Sequence, residues 1–292
     1  MKVKVSICIP CFNQTEFLRR NLESILNQDF TDYEIIMSDD STSGDVEALV
    51  TELLANKKLV YSYSRNKVPL GSPANWNHAI SQAQGDYIKI MHHDDWFSKR
   101  TSLSAFVRAL DENVQSDFVF CDSEVYDVQN KTSRVAKPSD DFLSKLQKDS
   151  TVLFMNNQIG APSAMMFRAN KTITFDEKIS YLVDIDFYMR SLNANPTYSY
   201  IHESLIVNTT NLPTQVTAAS VNKKIQIGEY CYLYNKTFAG EFPKREYRIF
   251  FRNLFSWYQL GSFHEISEMG SETPKPEWIF RWLLFLSRFK AA

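Results

Sequence analysis

The segment Tyr87–Ser98, YIKIMHHDDWFS, passes from a mostly apolar run into two histidines, two aspartates and a tryptophan. A second apolar run, YEIIMSDD, ends on Asp39 and Asp40. A third, VSICIPCFN, ends on Pro10, Phe12 and Asn13. Carboxylates set side by side repel, and each raises the pKa of the other. A divalent cation, or hydrogen-bond donors on a ligand, removes that conflict. Oxygen ligands at an open site suit Mg2+ or Mn2+, which keep part of their hydration and hold substrate phosphates. Phe12 beside carboxylates suits a stacked nucleobase, with an aspartate accepting from the base or ribose; core packing is the alternative for this ring. Taken singly, Asp94–Asp95 also reads as a helix cap and Asp39–Asp40–Ser41 as a polar turn. Two such pairs at neighbouring strand ends would gather several carboxylates at one sheet edge, and that combination points to a site.

Other chemistries are less well provided for. No G-x-G-x-x-G follows the first apolar run and no G-x-x-x-x-G-K-[ST] occurs, which argues against a dinucleotide dehydrogenase and a P-loop NTPase. His92 and His93 are neighbours on an extended chain and face opposite sides, so at most one joins the carboxylates. A zinc or iron centre would need further ligands that the sequence does not offer. Cys8-x-x-Cys11 has the spacing of a redox or zinc pair, but Cys8 lies inside an apolar run and no second pair exists, so core packing is expected. Downstream, VDID sets Asp184 between Val183 and Ile185, with Asp186 two residues on. A helix starting near Asp184 puts Asp186 and Arg190 on one face, an ion-pairing arrangement.

These residues need a frame to hold them. VKVSICI is β-branched and stops at Pro10; TEFLRRNLESILNQ carries Leu18, Leu22, Ile25 and Leu26 at helical spacing, with Asn13 or Thr15 as its cap. Strand-like YEIIMSDD, LVYSYSR, YIKIM and DFVFCDSEVYD alternate with helix-like GDVEALVTELLANKK, PANWNHAISQAQ and SLSAFVRALDEN. Such alternation predicts an α/β fold with a mostly parallel sheet covered by helices. Ligands in such folds bind beyond the carboxyl ends of the strands, where the acidic pairs fall. NKTSRVAKPSDD reads as a polar linker, and from about Lys223 the chain becomes helical and rich in aromatics.

The run VSICIPCFNQTEFLRRNLESILNQDFTDYEIIMSDDSTSGD resembles the opening of the family 2 inverting glycosyltransferases, which have the GT-A fold. The likeness continues through NKVPLGSPANWNHAISQAQGDYIKIMHHDDWF, where Asn66, Gly71, Asn77, Gly85 and Asp94–Asp95 fall at family positions. It extends to SAMMFR and FDEKISYLVDIDFYMRSL, and covers about residues 3 to 217. The resemblance implies a nucleotide-sugar site of Pro10, Phe12, Asn13, Asp39, Asp40, Asn77 and Asp94. Asp95 would be the metal ligand for Mn2+ or Mg2+, and Asp184 the general base. It implies inverting transfer from a nucleotide diphosphate sugar, UDP-linked by family habit, to a glycan or lipid-linked acceptor in bacterial surface polysaccharide synthesis, as for O-antigen. There are departures. His92 stands where the family often has aspartate, and Val183 where it usually has glutamate. IVNTTNLPTQVTAAS keeps Gln215 and Thr217 but lacks the histidine of a Y-R-x-H-x-x-Q-x-S stretch. A sugar nucleotidyltransferase is the rival enzyme, without its glycine-rich opening loop. A non-catalytic module of the same fold is the rival binder, disfavoured by the intact Asp39, Asp94, Asp95 and Asp184.

The bulk numbers agree. The chain has 292 residues, 44% hydrophobic and 23% charged, as expected of a globular protein with a proper core. A net charge of −2 offers no basic field for nucleic acid. Four scattered cysteines suggest a reducing compartment, and the N-terminal run does not read as a signal peptide. A catalytic domain is expected over 1–220, with a nucleotide-binding half at 1–125 and an acceptor-binding half at 126–220. A helical, aromatic-rich extension follows at 221–292. Within it, RIFFRNLFSWYQLGSF and WIFRWLLFLSRFK interleave aromatics with arginine. The second stretch is too short to span a bilayer, so it either packs inward or meets a membrane surface through 248–290. The expected location is cytoplasmic, peripheral at the inner face of the membrane.

Overall fold

A computed structural model describes residues 3–169, 173–212, 222–238, 240–270 and 272–289. The chain divides into two compact units, Met1–Glu177 with Phe187–Gln215, and Lys178–Asp186 with Val216–Ala292. The division therefore runs differently from a cut at residue 220: the segment bearing Asp184 groups with the C-terminal helices.

In the first unit the elements are β1 (Val5–Cys11), α1 (Glu16–Leu26), β2 (Tyr33–Asp39), α2 (Asp45–Leu54), β3 (Val60–Arg65), α3 (Ala74–Ser81), β4 (Tyr87–Ile90), β5 (Trp96–Phe97), α4 (Ser102–Glu112), β6 (Phe118–Asp127), β7 (Thr132–Ala136), α5 (Asp140–Leu146) and β8 (Met165–Arg168). Helix α6 (Val183–Ala194), whose residues up to Asp186 belong to the second unit, follows, then β9 (Tyr198–Thr210). The sheet order is β3-β2-β1-β4-β8-β6-β9-β5, with β7 paired to β6. The ladders among β3, β2, β1 and β4 are parallel, as is the long β6/β9 ladder; β8, β5 and β7 pair antiparallel.

β1, β2 and β4 are buried along their whole length, which explains their near-continuous apolar runs. Helix α1 turns Phe17, Leu18, Leu22 and Ile25 inward, the stripe expected from its spacing. Gly85, before β4, is required by close approach: a Cβ there would lie 2.6 Å from the Ser6 amide nitrogen. Because β1, β2 and β4 are parallel, their carboxyl ends share one edge, with Cys11 opposite Asp39.

The expected linker at NKTSRVAKPSDD instead contains β7, which closes a hairpin with β6. Its residues are mostly exposed, so no burial pattern marks it; backbone pairing alone makes the strand.

The second unit contains α7 (Lys223–Phe238), α8 (Arg245–Trp257), α9 (Phe263–Met269) and α10 (Glu277–Ser287). Its interior is aromatic. Tyr234, Phe251 and Phe280, one from each of α7, α8 and α10, meet edge to face with centroids 4.9–5.4 Å apart. Among the described residues, no helix is long and apolar enough to cross a membrane.

Candidate active site

At the ends of β1 and β2 the acidic pair is held by protein donors. Asp39 is fully buried; its Oδ1 accepts from the Ser41 amide at 2.9 Å and its Oδ2 from the Tyr63 hydroxyl at 2.6 Å. Burial first, and this bond second, push the Tyr63 phenol far up. Asp40 Oδ1 accepts from Asn66 Nδ2 at 2.8 Å and the Leu70 amide at 3.0 Å, while Oδ2 accepts from the Gly71 amide at 2.8 Å. The polar-turn reading of this stretch is thus realised, and the carboxylates are separated by individual donor sets. A carboxylate offers about four lone-pair sites, so these bonds do not exhaust either group, and both groups are buried.

Asn13 takes the left-handed backbone conformation that asparagine tolerates, with φ of 46°. Its amide donates to Ser41 Oγ at 2.8 Å and its Oδ1 accepts from the Thr42 amide at 2.9 Å, stapling the two strand-end loops together. Thr15 occupies the N-cap of α1 without a side-chain bond. Pro10 is buried, and Phe12 between Pro10 and Asn13 is 41% exposed, so its ring is not a core aromatic. Asn77, on α3, has protein partners of its own. It receives the Phe175 amide at 2.9 Å and donates to Phe175 O at 2.8 Å and Glu177 Oε1 at 3.0 Å. Its amide group is committed to holding that segment on α3.

The turn after β4 gathers a second cluster. The next helix, α4, begins only at Ser102, so Asp94–Asp95 is no helix cap. Asp95 is buried, with Oδ1 accepting from the Thr209 amide at 3.1 Å and Oδ2 from Asn208 Nδ2 at 2.8 Å. Asp94 is half-buried, its Oδ2 accepting from Thr209 Oγ1 at 3.0 Å. Strand β9 delivers both partners, in register with β5. His92, Asp94 and Asp95 each offer one ligand atom within 4.8 Å of the others. His93 faces away and meets Pro10 O through Nδ1 at 3.1 Å, so one histidine joins the carboxylates, as alternation requires.

Burial, with the charge of Asp94 adding to it, pushes Asp95 well above the usual carboxylate range, and burial pushes His92 below the usual imidazole value. His92 is therefore neutral near pH 7, and its 3.9 Å approach to Asp95 is no ion pair there. The ring lies against Trp76 with centroids 4.5 Å apart, and its Nε2 is buried without a hydrogen-bond partner. A neutral imidazole with one ring nitrogen, Nδ1, turned toward Asp95, grouped with two carboxylates, is a donor set that fits a divalent cation.

Beneath the cluster, Lys89 is fully buried and donates to the carbonyls of Ile90, Ser163 and Met165. Ser163 Oγ in turn accepts from the His92 amide at 3.0 Å. Asn21 donates to the carbonyls of His92 and Asp95 at 2.8 and 2.7 Å, fixing the turn from α1.

Asp184 stands in the second unit, in the first turn of α6, with Oδ1 accepting from the Ile185 amide at 2.9 Å. After burial itself, a raised pKa at Tyr181 traces to the charge of Asp184. The helix start is held by Glu229 of α7. Its Oε1 accepts from the Ser180 amide at 2.7 Å and hydroxyl at 2.8 Å; its Oε2 accepts from the amides of Tyr181 and Leu182 at 2.8 and 2.9 Å. Two turns along α7, Lys236 pairs at 2.6 Å with Asp186, which is buried; the expectation named Arg190, and the partner found here is Lys236 from another helix. All four cysteines are buried free thiols, so Cys8 and Cys11 are core residues. Gln215 and Thr217 lie outside the described residues.

Asn21, Lys89, Asn208, Thr209 and Glu229 were not singled out from sequence. Asn21 and Lys89 carried a signal, as polar residues inside otherwise apolar buried patterns. Glu229 carried none.

The chain superposes on the solved structure of S. aureus TarS 1–349 in complex with UDP-GlcNAc, with a TM-score of 0.63 over 98% of this chain and 87% of that one, at 17% identity. On the mannosyltransferase PcManGT of Pyrobaculum calidifontis, in complex with GDP-Man and Mn2+, the TM-score is 0.59 over 99% and 86% of the chains, at 15% identity. At such identities the likeness establishes the fold, and it is the expected GT-A fold of nucleotide-sugar enzymes. Residues 6–174, more than half of the chain, match the model of Glycosyl transferase family 2. The chain belongs to that family and is a glycosyltransferase. A stretch of 92 residues is 34% identical to the GalNAc(5)-diNAcBac-PP-undecaprenol beta-1,3-glucosyltransferase of Campylobacter jejuni, covering 32% of this chain and 30% of that protein.

Proposed function

We propose that the enzyme transfers a sugar with inversion from a nucleotide diphosphate donor to a hydroxyl of a lipid-linked glycan, in bacterial surface polysaccharide synthesis on the cytoplasmic side of the membrane. The observation that carries this reading is the His92–Asp94–Asp95 cluster beyond the carboxyl end of β4. The strand-end loops of β1 and β2 supply the nucleoside pocket: Phe12 stacks on the base, Pro10 shapes the floor, and Asp39 and Asp40 accept from base or ribose while Asn13 holds the loops. His92, Asp94 and Asp95 would hold a divalent cation, which would neutralise the charge of the departing nucleoside diphosphate. Asp95, anchored by Asn208 and Thr209, is the preorganised ligand, and the more exposed Asp94 faces the donor. The imidazole favours Mn2+ over Mg2+, which prefers oxygen-only surroundings; the PcManGT complex contains Mn2+. Asp184 takes the proton of the acceptor hydroxyl as the carbon–oxygen bond forms, so no enzyme nucleophile is needed and the configuration inverts.

A UDP-sugar is the first donor to test, since the TarS complex holds UDP-GlcNAc. The PP-undecaprenol in the name of the Campylobacter enzyme supports a polyprenyl-diphosphate-linked acceptor, and four free thiols suit a reducing compartment. Thermal-shift screening of UDP, GDP and dTDP sugars with and without Mn2+ identifies the donor. Asp184→Asn is expected to keep nucleotide binding while transfer falls by about 10²–10⁴-fold, the usual contribution of general-base catalysis. Transfer at the wild-type rate in that variant removes Asp184 from the mechanism.

A further inference from the structure

The second unit carries an apolar surface for which the transfer reaction has no use. Along α10 and just past its C-terminal cap (Arg288), Trp278, Trp282, Phe285 and Phe289 are 66%, 48%, 54% and 56% exposed. Their spacing of i, i+4, i+7 and i+11 sets them within about 60° of one another around the helix. Ile279, Phe280, Leu283 and Leu284 of the same helix are buried. The helix is thus apolar on two faces, and the unit's own core accounts for one of them. The strip continues beyond α10, with the exposed Phe242 ring 6.2 Å from that of Trp278. Single exposed apolar residues are ordinary, but a contiguous aromatic strip marks an interaction surface.

Cations border it. Arg248 lies over the Phe242 ring at 5.3 Å, and Arg252 donates to Phe289 O at 3.0 Å. Arg281 and Arg288 are exposed on a flank of α10 itself. We infer that this strip docks the enzyme on an anionic lipid bilayer, with α10 lying in the plane of the interface. Tryptophan and phenylalanine settle at headgroup depth, and arginines beside them meet lipid phosphates. The helix is too short to span. A second copy of the chain fits less well, because a two-fold contact through this face would set the bordering arginines against their own copies.

The test uses the full chain and vesicles of phosphatidylcholine, with or without phosphatidylglycerol. Tryptophan emission is expected to shift to shorter wavelength on phosphatidylglycerol vesicles and to be quenched by brominated lipid. Partitioning should fall at least about tenfold in Trp278→Ser/Trp282→Ser. In Arg248→Glu/Arg252→Glu it should fall about fivefold for each arginine lost on anionic vesicles, with little change on neutral ones. All positions changed are at least partly exposed, and circular dichroism checks the fold of each variant. Sugar-donor hydrolysis in solution is expected to be unchanged in both, so failure here leaves the transferase reading intact. Absence of binding to anionic vesicles, or equal binding by wild type and the tryptophan variant, overturns the inference. So does a concentration-dependent dimer in sedimentation velocity that the tryptophan substitutions abolish, which assigns the strip to a second copy.

Discussion

Replacing Glu229 by glutamine tests how the helix bearing Asp184 is fixed. The carboxylate accepts four hydrogen bonds, two on each oxygen, from Ser180, Tyr181 and Leu182. Three are backbone amides of the segment that leads into α6, ending at Leu182, whose carbonyl accepts from Asp186, and the fourth is the Ser180 hydroxyl. Glutamine keeps one acceptor oxygen. It will turn that oxygen toward the Tyr181 and Leu182 amides, because the Ser180 hydroxyl can rotate to accept from the new NH2 group. The Ser180 amide then has no acceptor, at about 1–3 kcal/mol. The two bonds that remain lose their charge assistance, about 1 kcal/mol each. The expected loss is about 3–5 kcal/mol, concentrated in the second unit. Hydrogen exchange of peptides covering 178–186 should accelerate, and the urea midpoint should fall. Nucleotide binding by the first unit should hold, whereas transfer should drop by about 10²-fold, the cost of misplacing a catalytic group by roughly 1 Å. A Glu229→Gln enzyme within about 0.5 kcal/mol of wild type, with unchanged exchange at 178–186, would refute the reasoning.

Two further outcomes follow from the first unit. Burial pushes the Lys89 ammonium down to about 7, against about 10.4 in an unfolded chain, so between these values the unfolded state binds the extra proton and stability rises with pH. Urea unfolding at about pH 7 and pH 8.5 should differ by up to about 2 kcal/mol in wild type, and Lys89→Met should flatten the difference; an unchanged slope assigns it to another group. Asn208→Ala removes a support of Asp95 without touching the cluster's ligand atoms. It should weaken Mn2+ binding by about 10–100-fold, read from the electron paramagnetic resonance of free Mn2+, and an unmoved titration takes Asp95 out of the ligand set.

How much of this was legible in the sequence depends on how far apart the cooperating residues lie. β1, β2 and β4 announce themselves because burial on both faces demands continuous apolar runs, and their chemistry sits in the next few residues. Asp39, Asp40, Asp94 and Asp95 were therefore visible as pairs at strand ends. What each carboxylate does was not, since Tyr63, Asn66, Asn208 and Thr209 reach them from other elements, and only the sheet register says which side chains meet. Asn77, placed in the nucleotide site by a family position, also has protein partners, Phe175 and Glu177, that come from a distant segment. β7 was hidden because an exposed edge strand needs no apolar pattern. In the C-terminal helices the density of aromatics was plain, but core packing and surface docking both produce it. They separate only when each ring is assigned a face: Phe280 inward and Trp278 outward, two residues apart on one helix. Reactive groups at strand ends are local features of the chain, while the groups that hold them come from distant elements. Substitutions in those supports should therefore alter geometry and metal affinity before they alter the chemistry itself.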